Sequence, residues 1–419
     1  MNRITGRPNG ILKTPGVKAS RAGKGLRDTG SGPSTSSRPR CDHPLAPTPP
    51  AIRTVRTANA GDRSGDATMT DSTRRRLAAS LLTLLAGCAR DAAEPGAGPG
   101  GGGGRVVVYT ALDREFSEPI LDRYEQEAGT TVDAKYDVES TKTVGLTNAI
   151  IAEAGRPRAD LFWNNEILNT LRLQREGLLA PFTPEHADAI PDQYKAGDGT
   201  WYGFAGRARI LIVNTDLVPE ADRPTSIRDL ADPRWKGKAG IAKPLFGTTA
   251  SHAACLFVAL GDEEAKRYFR DLEANDVRIL SGNKQVAQDV ASGRLAFGMT
   301  DTDDAMVMIE QQGAPVAIVY PDQGEGEPGT LFIPNTLAMI KGGPNPGAAE
   351  ALASAIISPE VEATLAASPS AQIPLLTTTE ASARVETPKT IKAMEVDFEA
   401  AAARWDEVAA FIREEFAAE

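Results

Sequence analysis

Apolar and polar positions alternate in blocks between residues 105 and 319, and the blocks predict strands followed by helices. Val106–Tyr109 is a short continuous apolar run, which is typical of a buried strand. Phe116, Ile120 and Tyr124 then recur at helical spacing, and Gly129 follows as a stop signal. Further strands are predicted at 132–135, 161–163, 209–213, 239–242, 277–280, 295–299 and 316–319. Because helical patterns separate these runs, the sequence predicts an α/β fold with a parallel sheet.

The first 68 residues carry none of this pattern. They contain twelve Lys or Arg against four Asp or Glu and are rich in Pro, Ser, Gly and Thr. Such a segment cannot bury enough apolar surface to fold. We interpret 1–68 either as a disordered leader or as an over-extended start, in which case Met69 is the initiating residue. A basic arm for nucleic acid is the alternative; it is disfavoured because the segment lacks aromatic residues and precedes an export signal.

Residues 69–104 have the layout of an export signal and a tether. Arg74–Arg76 precedes the apolar run Leu77–Leu85, which is far shorter than the roughly 20 residues of a membrane-crossing helix. The run ends in Leu85-Ala86-Gly87-Cys88, which resembles the bacterial lipobox, whose Cys becomes lipidated. We therefore expect a signal peptide over 69–87, lipidation at Cys88 and a flexible glycine-rich linker over 88–104. A buried helix that happens to end in Cys is the alternative.

The net charge indicates which kinds of partner the protein can bind, and the cysteine content limits the disulfide bonds it can form. The chain has a net charge of −10, and residues 1–76 carry +10, so residues 77–419 carry −20. This acidity argues against a nucleic-acid partner and mildly favours cationic ligands. Beyond Cys88 only Cys255 remains, so the folded part forms no internal disulfide despite an oxidising destination.

Ligands of open parallel sheets bind outside the carboxyl ends of the strands. The polar residues that we expect there are Thr110, Asp113, Ser140, Thr141, Asn164, Asn165, Glu166, Thr248, Thr249 and Asp301 to Asp304. Asp301, Asp303 and Asp304 are the sharpest feature, because three carboxylates within four residues repel one another and require a compensating charge. Two interpretations stay open: contact with a ligand, or capping of the helix that starts there.

Arg207 and Arg209 are two residues apart, so they share one face of a strand. Two guanidinium groups beside a cleft would recognise an anion or a carboxylate bidentately. A plain salt bridge to the acidic residues at 301–304 is the other interpretation.

From Val106 to the end, the chain resembles the extracytoplasmic substrate-binding proteins of ABC importers, and more narrowly their ferric-ion-binding class. Five segments in family order carry the resemblance: 107–111, 159–163, 206–214, 232–238 and 333–336. The resemblance implies a two-lobed, periplasmic-binding-protein-like (type II) fold with a hinge and a central ligand cleft. We expect lobe 1 to comprise 105–206 with about 331–380, and lobe 2 to comprise 207–330 with about 381–419.

The resemblance also implies candidate metal ligands. In ferric binders an adjacent tyrosine pair ligates iron, and segment order puts Asp303 and Asp304 in its place. The family's first-loop histidine falls on Asp113 and its glutamate on Asn165, while its anion-holding arginine matches Arg207 or Arg209. Aspartates are hard donors that could hold Fe³⁺, Ca²⁺ or another hard cation, or the ammonium of an organic zwitterion. No cofactor is required.

An enzyme is a different class of function, and the folded part offers little for it. His186 and His252 are its histidines, Cys255 lies in an apolar run, and nucleophile-elbow and phosphate-loop motifs are absent. A carboxylate-dependent hydrolase using Asp303 and Asp113, and a scaffold lipoprotein, remain as alternatives. We expect a monomeric, non-enzymatic protein, anchored by lipid outside the cytoplasm, that delivers a small polar solute to a membrane permease.

Overall fold

The computed structural model describes residues 104–138 and 141–416. The leader, the export signal, Cys88 and most of the linker lie outside these residues, as does Ser140, so these predictions are untested by the structure.

Ten strands and eleven α-helices are assigned in the described part of the chain. The strands are β1 (Arg105–Thr110), β2 (Thr131–Tyr136), β3 (Leu161–Asn164), β4 (Leu179–Ala180), β5 (Trp201–Asn214), β6 (Ala239–Ala242), β7 (Arg278–Leu280), β8 (Phe297–Asp301), β9 (Val316–Val319) and β10 (Phe332–Ile340). The helices are α1 (Arg114–Ala128), α2 (Val144–Ala152), α3 (Leu168–Arg175), α4 (Gly247–Ala259), α5 (Asp262–Ala274), α6 (Asn283–Ala291), α7 (Thr302–Glu310), α8 (Pro346–Ile356), α9 (Pro359–Ala367), α10 (Phe398–Ala403) and α11 (Trp405–Phe411).

The strands follow the order β2-β1-β3-β10-β5-β8-β6-β7, with β4 paired to β10 and β9 to β5. β1 is parallel to β2 and β3, and β6 is parallel to β7 and β8, so each end of this order is a small parallel sheet. Both β5 and β10 run antiparallel to their neighbours. The α/β class that the alternating pattern predicts is confirmed, and two antiparallel strands are added to it.

β5 connects the two sheet regions. Its first part pairs with β10 up to Ala208, opposite Phe332, and its second part pairs with β8 from Arg209, opposite Asp301. All fourteen residues of β5 are buried. The sequence pattern predicts only 209–213 as a strand, because Gly203, Gly206 and Arg207 interrupt the apolar run. The arginines are buried here because partner groups surround them, which a hydrophobicity pattern does not register.

In the sheet region formed by β8, β6 and β7, two glycines face each other, Gly240 on β6 and Gly298 on β8. A Cβ at Gly298 on β8 would lie 2.5 Å from Cγ1 of Val286 on α6 and 2.7 Å from the carbonyl oxygen of Gly240 on β6. Glycine at this position therefore lets α6 pack directly on the sheet, and α6 in turn places its first residue, Asn283, beside the end of β8.

A single methyl group tests this packing. Gly298→Ala should lower the free energy of unfolding by about 1–3 kcal/mol, since the overlap involves backbone as well as a side chain. Urea denaturation measures the change. Gly155→Ala is the matched control, because a Cβ there meets nothing within 4 Å, and it should change stability by less than about 0.5 kcal/mol. Equal stability of the two variants would contradict the close packing.

None of the helices assigned within residues 104–138 and 141–416 is long and apolar enough to cross a bilayer.

Candidate functional site

A narrow polar cleft lies where the strand ends of the two sheet regions meet. Asp113, Lys142 and Asn165 line it from the side of β1 and β3, and Arg207 lies at its base on β5. The opposite wall is formed by Lys243, Gly247, Thr248, Asn283, Asp301, Asp303 and Asp304. Its volume is about 20 Å³, room for roughly one water-sized sphere. The expectation that ligands bind outside the carboxyl ends of parallel strands, called the strand-end rule below, therefore locates a cleft at these loops.

Asp303 and Asp304 are the acidic centre of the cleft. They occupy the first turn of α7, and one carboxylate oxygen from each of Asp301, Asp303 and Asp304 lies within 4.8 Å of the others. Thr300 Oγ1 donates to Asp304 Oδ2 at 3.2 Å, and Arg207 Nε lies 3.3 Å from Asp303 Oδ2. The helix has no side-chain cap from Asp301. Capping therefore does not account for that residue.

Burial and mutual repulsion make this pair reluctant to ionise. Burial raises the pKa of Asp303 to about 6, against the pull of Arg207 and with the help of Asp301 and Asp113. Burial and the charge of Asp303 raise the pKa of Asp304 well above its usual range. A bound cation would relieve both effects.

Asp113 is the carboxylate on the opposite wall. It precedes α1 and forms an ion pair with the ammonium group of Lys142. Burial alone would raise the pKa of Asp113, but the charge and the hydrogen bond of Lys142, together with the charges of Lys284 and Arg207, outweigh it and hold the pKa below its ordinary value.

Asp301 belongs to an internal network. Its Oδ1 lies 2.7 Å from Arg209 Nη1, and its Oδ2 accepts hydrogen bonds from Thr248 Oγ1 and Asn283 Nδ2. Arg209 also donates to Thr249 Oγ1 at 3.1 Å. Arg209 and Asp301 are both buried. Of the two interpretations of Arg209, the structure shows the salt bridge.

The guanidinium group of Arg207 is held from three directions. Nη1 donates to the carbonyl oxygen of Asn165 at 3.1 Å, Nη2 donates to Asn335 Oδ1 at 2.8 Å, and Nε faces Asp303. Arg207 thus links the strand-end loop after β3 to the start of α7.

Asn165 contributes a polar atom with no partner inside the described protein. The side chain lines the cleft and is only 4% exposed, yet its Oδ1 accepts no hydrogen bond from the described residues. A buried amide oxygen of this kind costs free energy unless a ligand or solvent satisfies it.

Several residues that the sequence predicts at the cleft are engaged elsewhere. Glu166 is fully buried and accepts hydrogen bonds from Leu168 N, Asn169 N and Ser251 Oγ, so it caps α3 and ties it to α4. Thr141 donates to Asp137 at 3.0 Å. Thr110, Thr141, Asn164, Glu166, Arg209 and Thr249 are not among the residues that line the cleft.

Sequence reasoning missed Lys142, Lys243 and Asn283. Asn283 could have been found by applying the strand-end rule to β7, whose carboxyl end is followed by Ser281, Gly282 and Asn283. The two lysines gave no such signal, because a single lysine in a loop is most often solvated surface.

Comparison with known proteins identifies the family. Residues 120–394 match the model of the family described as bacterial extracellular solute-binding protein. The chain belongs to this family. Iron uptake protein A1 of Synechocystis is 24% identical over 292 residues, which cover 68% of this chain and 79% of that protein. Iron-bound HitA from Pseudomonas aeruginosa has a TM-score of 0.67 at 22% identity, covering 74% of this chain and 99% of that structure.

The family confirms the two-lobed type II periplasmic-binding fold, and it confirms a transport component rather than an enzyme. It does not decide the ligand. AfuA from Actinobacillus pleuropneumoniae, solved with fructose-6-phosphate bound, has a TM-score of 0.66 at 22% identity over 75% of this chain and 99% of that structure. The iron-bound and the sugar-phosphate-bound structures resemble this fold about equally well. The ligand must therefore be inferred from the residues of the cleft.

The raised pKa values predict how the ligand-free protein responds to pH. The folded state holds protons that the unfolded chain releases near pH 4, so stability should fall as the pH rises from about 4 to about 7. Asp303→Asn with Asp304→Asn keeps the shapes and removes both charges. This double variant should be more stable than the wild type by about 1–3 kcal/mol near pH 7 and nearly equal near pH 4.

Thermal unfolding across this pH range measures the effect. Asp192→Asn with Asp406→Asn is the control, because both carboxylates are almost fully exposed, and its difference from the wild type should not vary with pH. A double variant at 303 and 304 that is less stable than the wild type at neutral pH would contradict the proposed repulsion.

Proposed function

We propose that the cleft captures a single hard cation, with ferric ion as the first candidate, and that the protein delivers it to the permease of an ABC importer. The observation that carries this is the pair Asp303 and Asp304, which meet Asp113 across a cavity of about 20 Å³. Three carboxylates in so small a space are the ligand set of an oxygen-coordinated cation. The relatives named for iron support the same choice.

The donors would come from both walls of the cleft. Asp303 and Asp304 supply carboxylate oxygens from α7, Asp113 supplies one from the loop after β1, and Asn165 offers the unpartnered amide oxygen. All are hard ligands of the kind that suit Fe³⁺ or Ca²⁺. No tyrosine is found among the described residues that line the cleft. A ferric complex should therefore lack the intense visible absorption of tyrosinate-bound iron.

Donors on opposite walls also explain how binding of a cation alone, with no chemical reaction, would close the cleft. A cation that contacts Asp113 and Asp303 together has more affinity for the closed arrangement than for an open one, so it shifts the population towards closure. β5 would act as the hinge, because it changes sheet partners between Ala208 and Arg209. We retain the proposed lobes, 105–206 with about 331–380 and 207–330 with about 381–419, on either side of it.

A small organic zwitterion is the second candidate. Arg207, Lys142 and Lys243 line the same cleft as the aspartates, so both signs of charge are available to one ligand. The small volume favours the ion, because an organic solute would require a wider opening.

We also propose that the mature protein is a monomer held at the outer face of a membrane by lipid on Cys88. The sequence around Cys88 and the glycine-rich tether support this. Cys88→Ala should move the protein from the membrane fraction to the soluble fraction and abolish incorporation of radiolabelled fatty acid. An unchanged distribution would contradict the anchor.

Removing the acidic pair tests the cation site. Residues 89–419, produced with Asp303→Ala and Asp304→Ala, should lose at least a hundredfold of the wild-type affinity for Fe³⁺ supplied as its nitrilotriacetate complex. The thermal stability of the ligand-free protein should not fall, because the repulsion is removed as well. Calorimetry measures binding, and elemental analysis identifies the metal that copurifies with the wild type.

Asp192→Ala with Asp406→Ala removes two exposed carboxylates and is the matched control for net charge. It should bind iron as the wild type does. Undiminished affinity in the variant lacking Asp303 and Asp304 would refute the site, and copurification of an organic solute without metal would favour the zwitterion.

A further inference from the structure

Lys142 has a place in the cleft that the proposed cation site does not explain. Its ammonium group forms the ion pair with Asp113, and its side chain is 16% exposed among the cleft residues. It lines the same small cavity as Asp303 and Asp304, which lie on the opposite wall. One lysine thus shares this cavity with all three carboxylates that would bind the ion.

The backbone around Lys142 is held firmly from both sides of the cleft. Gly247 N, the first residue of α4, donates to the carbonyl oxygen of Lys142 at 3.0 Å. The next residue, Thr143, has a φ of +69°, a conformation that β-branched residues rarely adopt. Thr143 is buried, and Asn169 Nδ2 donates to its Oγ1 at 3.1 Å. Strain that the surroundings enforce in this way is concentrated at functional sites.

We propose that Lys142 is an internal counter-ion, whose ammonium group stands in for the cargo cation in the ligand-free protein and is displaced when the cargo binds. This inference rests on the proposed function, since it assigns Asp113, Asp303 and Asp304 to a cation. The ammonium group reduces the repulsion between the walls, so the empty protein can close. Any incoming cation must replace that stabilisation before it gains affinity of its own.

Displacement of Lys142 would set a minimum intrinsic affinity that a cation needs in order to bind in the cleft. Displacing Lys142 costs the same free energy for every cation, so it reduces every affinity by the same factor. A strongly held trivalent ion remains bound after this reduction, whereas a weakly held divalent ion no longer binds at its ambient concentration. Lys142 would therefore keep abundant ions such as Ca²⁺ out of the cleft. The residue would also aid release, because its ammonium group competes for the carboxylates when the cleft opens.

Lys142→Met tests the inference, with Lys284→Met as the matched control. Lys284 forms an ion pair with Glu115 at 3.0 Å and is more exposed, at 44%. Its charge acts on Asp113 and Asp304 from outside the cleft, so this variant separates the general effect of a nearby positive charge from the direct contact that Lys142 makes. Terbium(III) serves as a soluble hard trivalent probe and Ca²⁺ as the divalent one. Lys142→Met should bind both at least tenfold more tightly than the wild type, and Lys284→Met should change either affinity less than about threefold.

A second measurement requires no metal. Small-angle X-ray scattering of the ligand-free proteins should give a larger radius of gyration for Lys142→Met than for the wild type or Lys284→Met, because the unshielded carboxylates push the walls apart. Terbium should return that variant to the wild-type dimension. Thermal unfolding confirms that each variant is folded.

The outcomes separate the two proposals. If Lys142→Met binds both ions no more tightly than the wild type while loss of Asp303 and Asp304 abolishes binding, the cation site stands and the counter-ion is refuted. If neither the wild type nor Lys142→Met binds a cation, the cation site itself fails and the inference fails with it. Equal radii of gyration for all three ligand-free proteins would also refute the counter-ion.

Discussion

The repulsion between carboxylates on the walls of one narrow cleft is the constraint on which the rest of the site depends. Asp303 and Asp304 are adjacent in the first turn of α7 and face Asp113 from the other wall. In a partly dehydrated cleft such a group cannot be fully ionised without nearby positive charge. Arg207 and Lys142 supply part of that charge, and a bound cation would supply the rest. Ligand capture would then follow from relief of a strain that the empty protein already contains.

Both arginines of the site lie on β5. Arg209, just past the point where β5 changes partners, is paired with Asp301 in a buried network that includes Thr248 and Asn283. That network ties the end of β8 to α4 through Thr248 and to α6 through Asn283. Arg207, just before the same point, holds Asn165 and faces Asp303. Two arginines that look equivalent in the sequence therefore differ in place, since Arg209 lies in a buried salt bridge and Arg207 lines the cleft.

Much of the fold could be predicted from the sequence, because strands such as β1 and β3 are continuous apolar runs that follow from burial alone. The long strand β5 could not, since its buried arginines become stable only through partners that are distant in the chain, such as Asn335 and Asp301. The strand-end rule placed Asp113, Asn165 and the acidic residues of α7 at one cleft. It also placed Glu166 there, because the rule gives position along a strand and not the direction of a side chain.

The rule also cannot separate a ligand from a support. Thr302 illustrates this: its Oγ1 accepts a hydrogen bond from Ala208 N on β5, although it lies between Asp301 and Asp303 in the sequence. Lys142 was missed for a related reason. Its place in the cleft follows from the turn at Thr143 and from the hydrogen bond that Gly247 of α4 donates to its carbonyl oxygen, neither of which leaves a pattern in the residues themselves.

Anomalous X-ray scattering from crystals of the iron-loaded protein tests the central claim most directly. The account predicts one anomalous peak in the cleft, within coordination distance of about 2–2.5 Å of carboxylate oxygens from Asp303, Asp304 and Asp113, with the ammonium group of Lys142 moved away from Asp113. A peak outside the cleft, or a cleft that holds no metal under saturating iron, would contradict it.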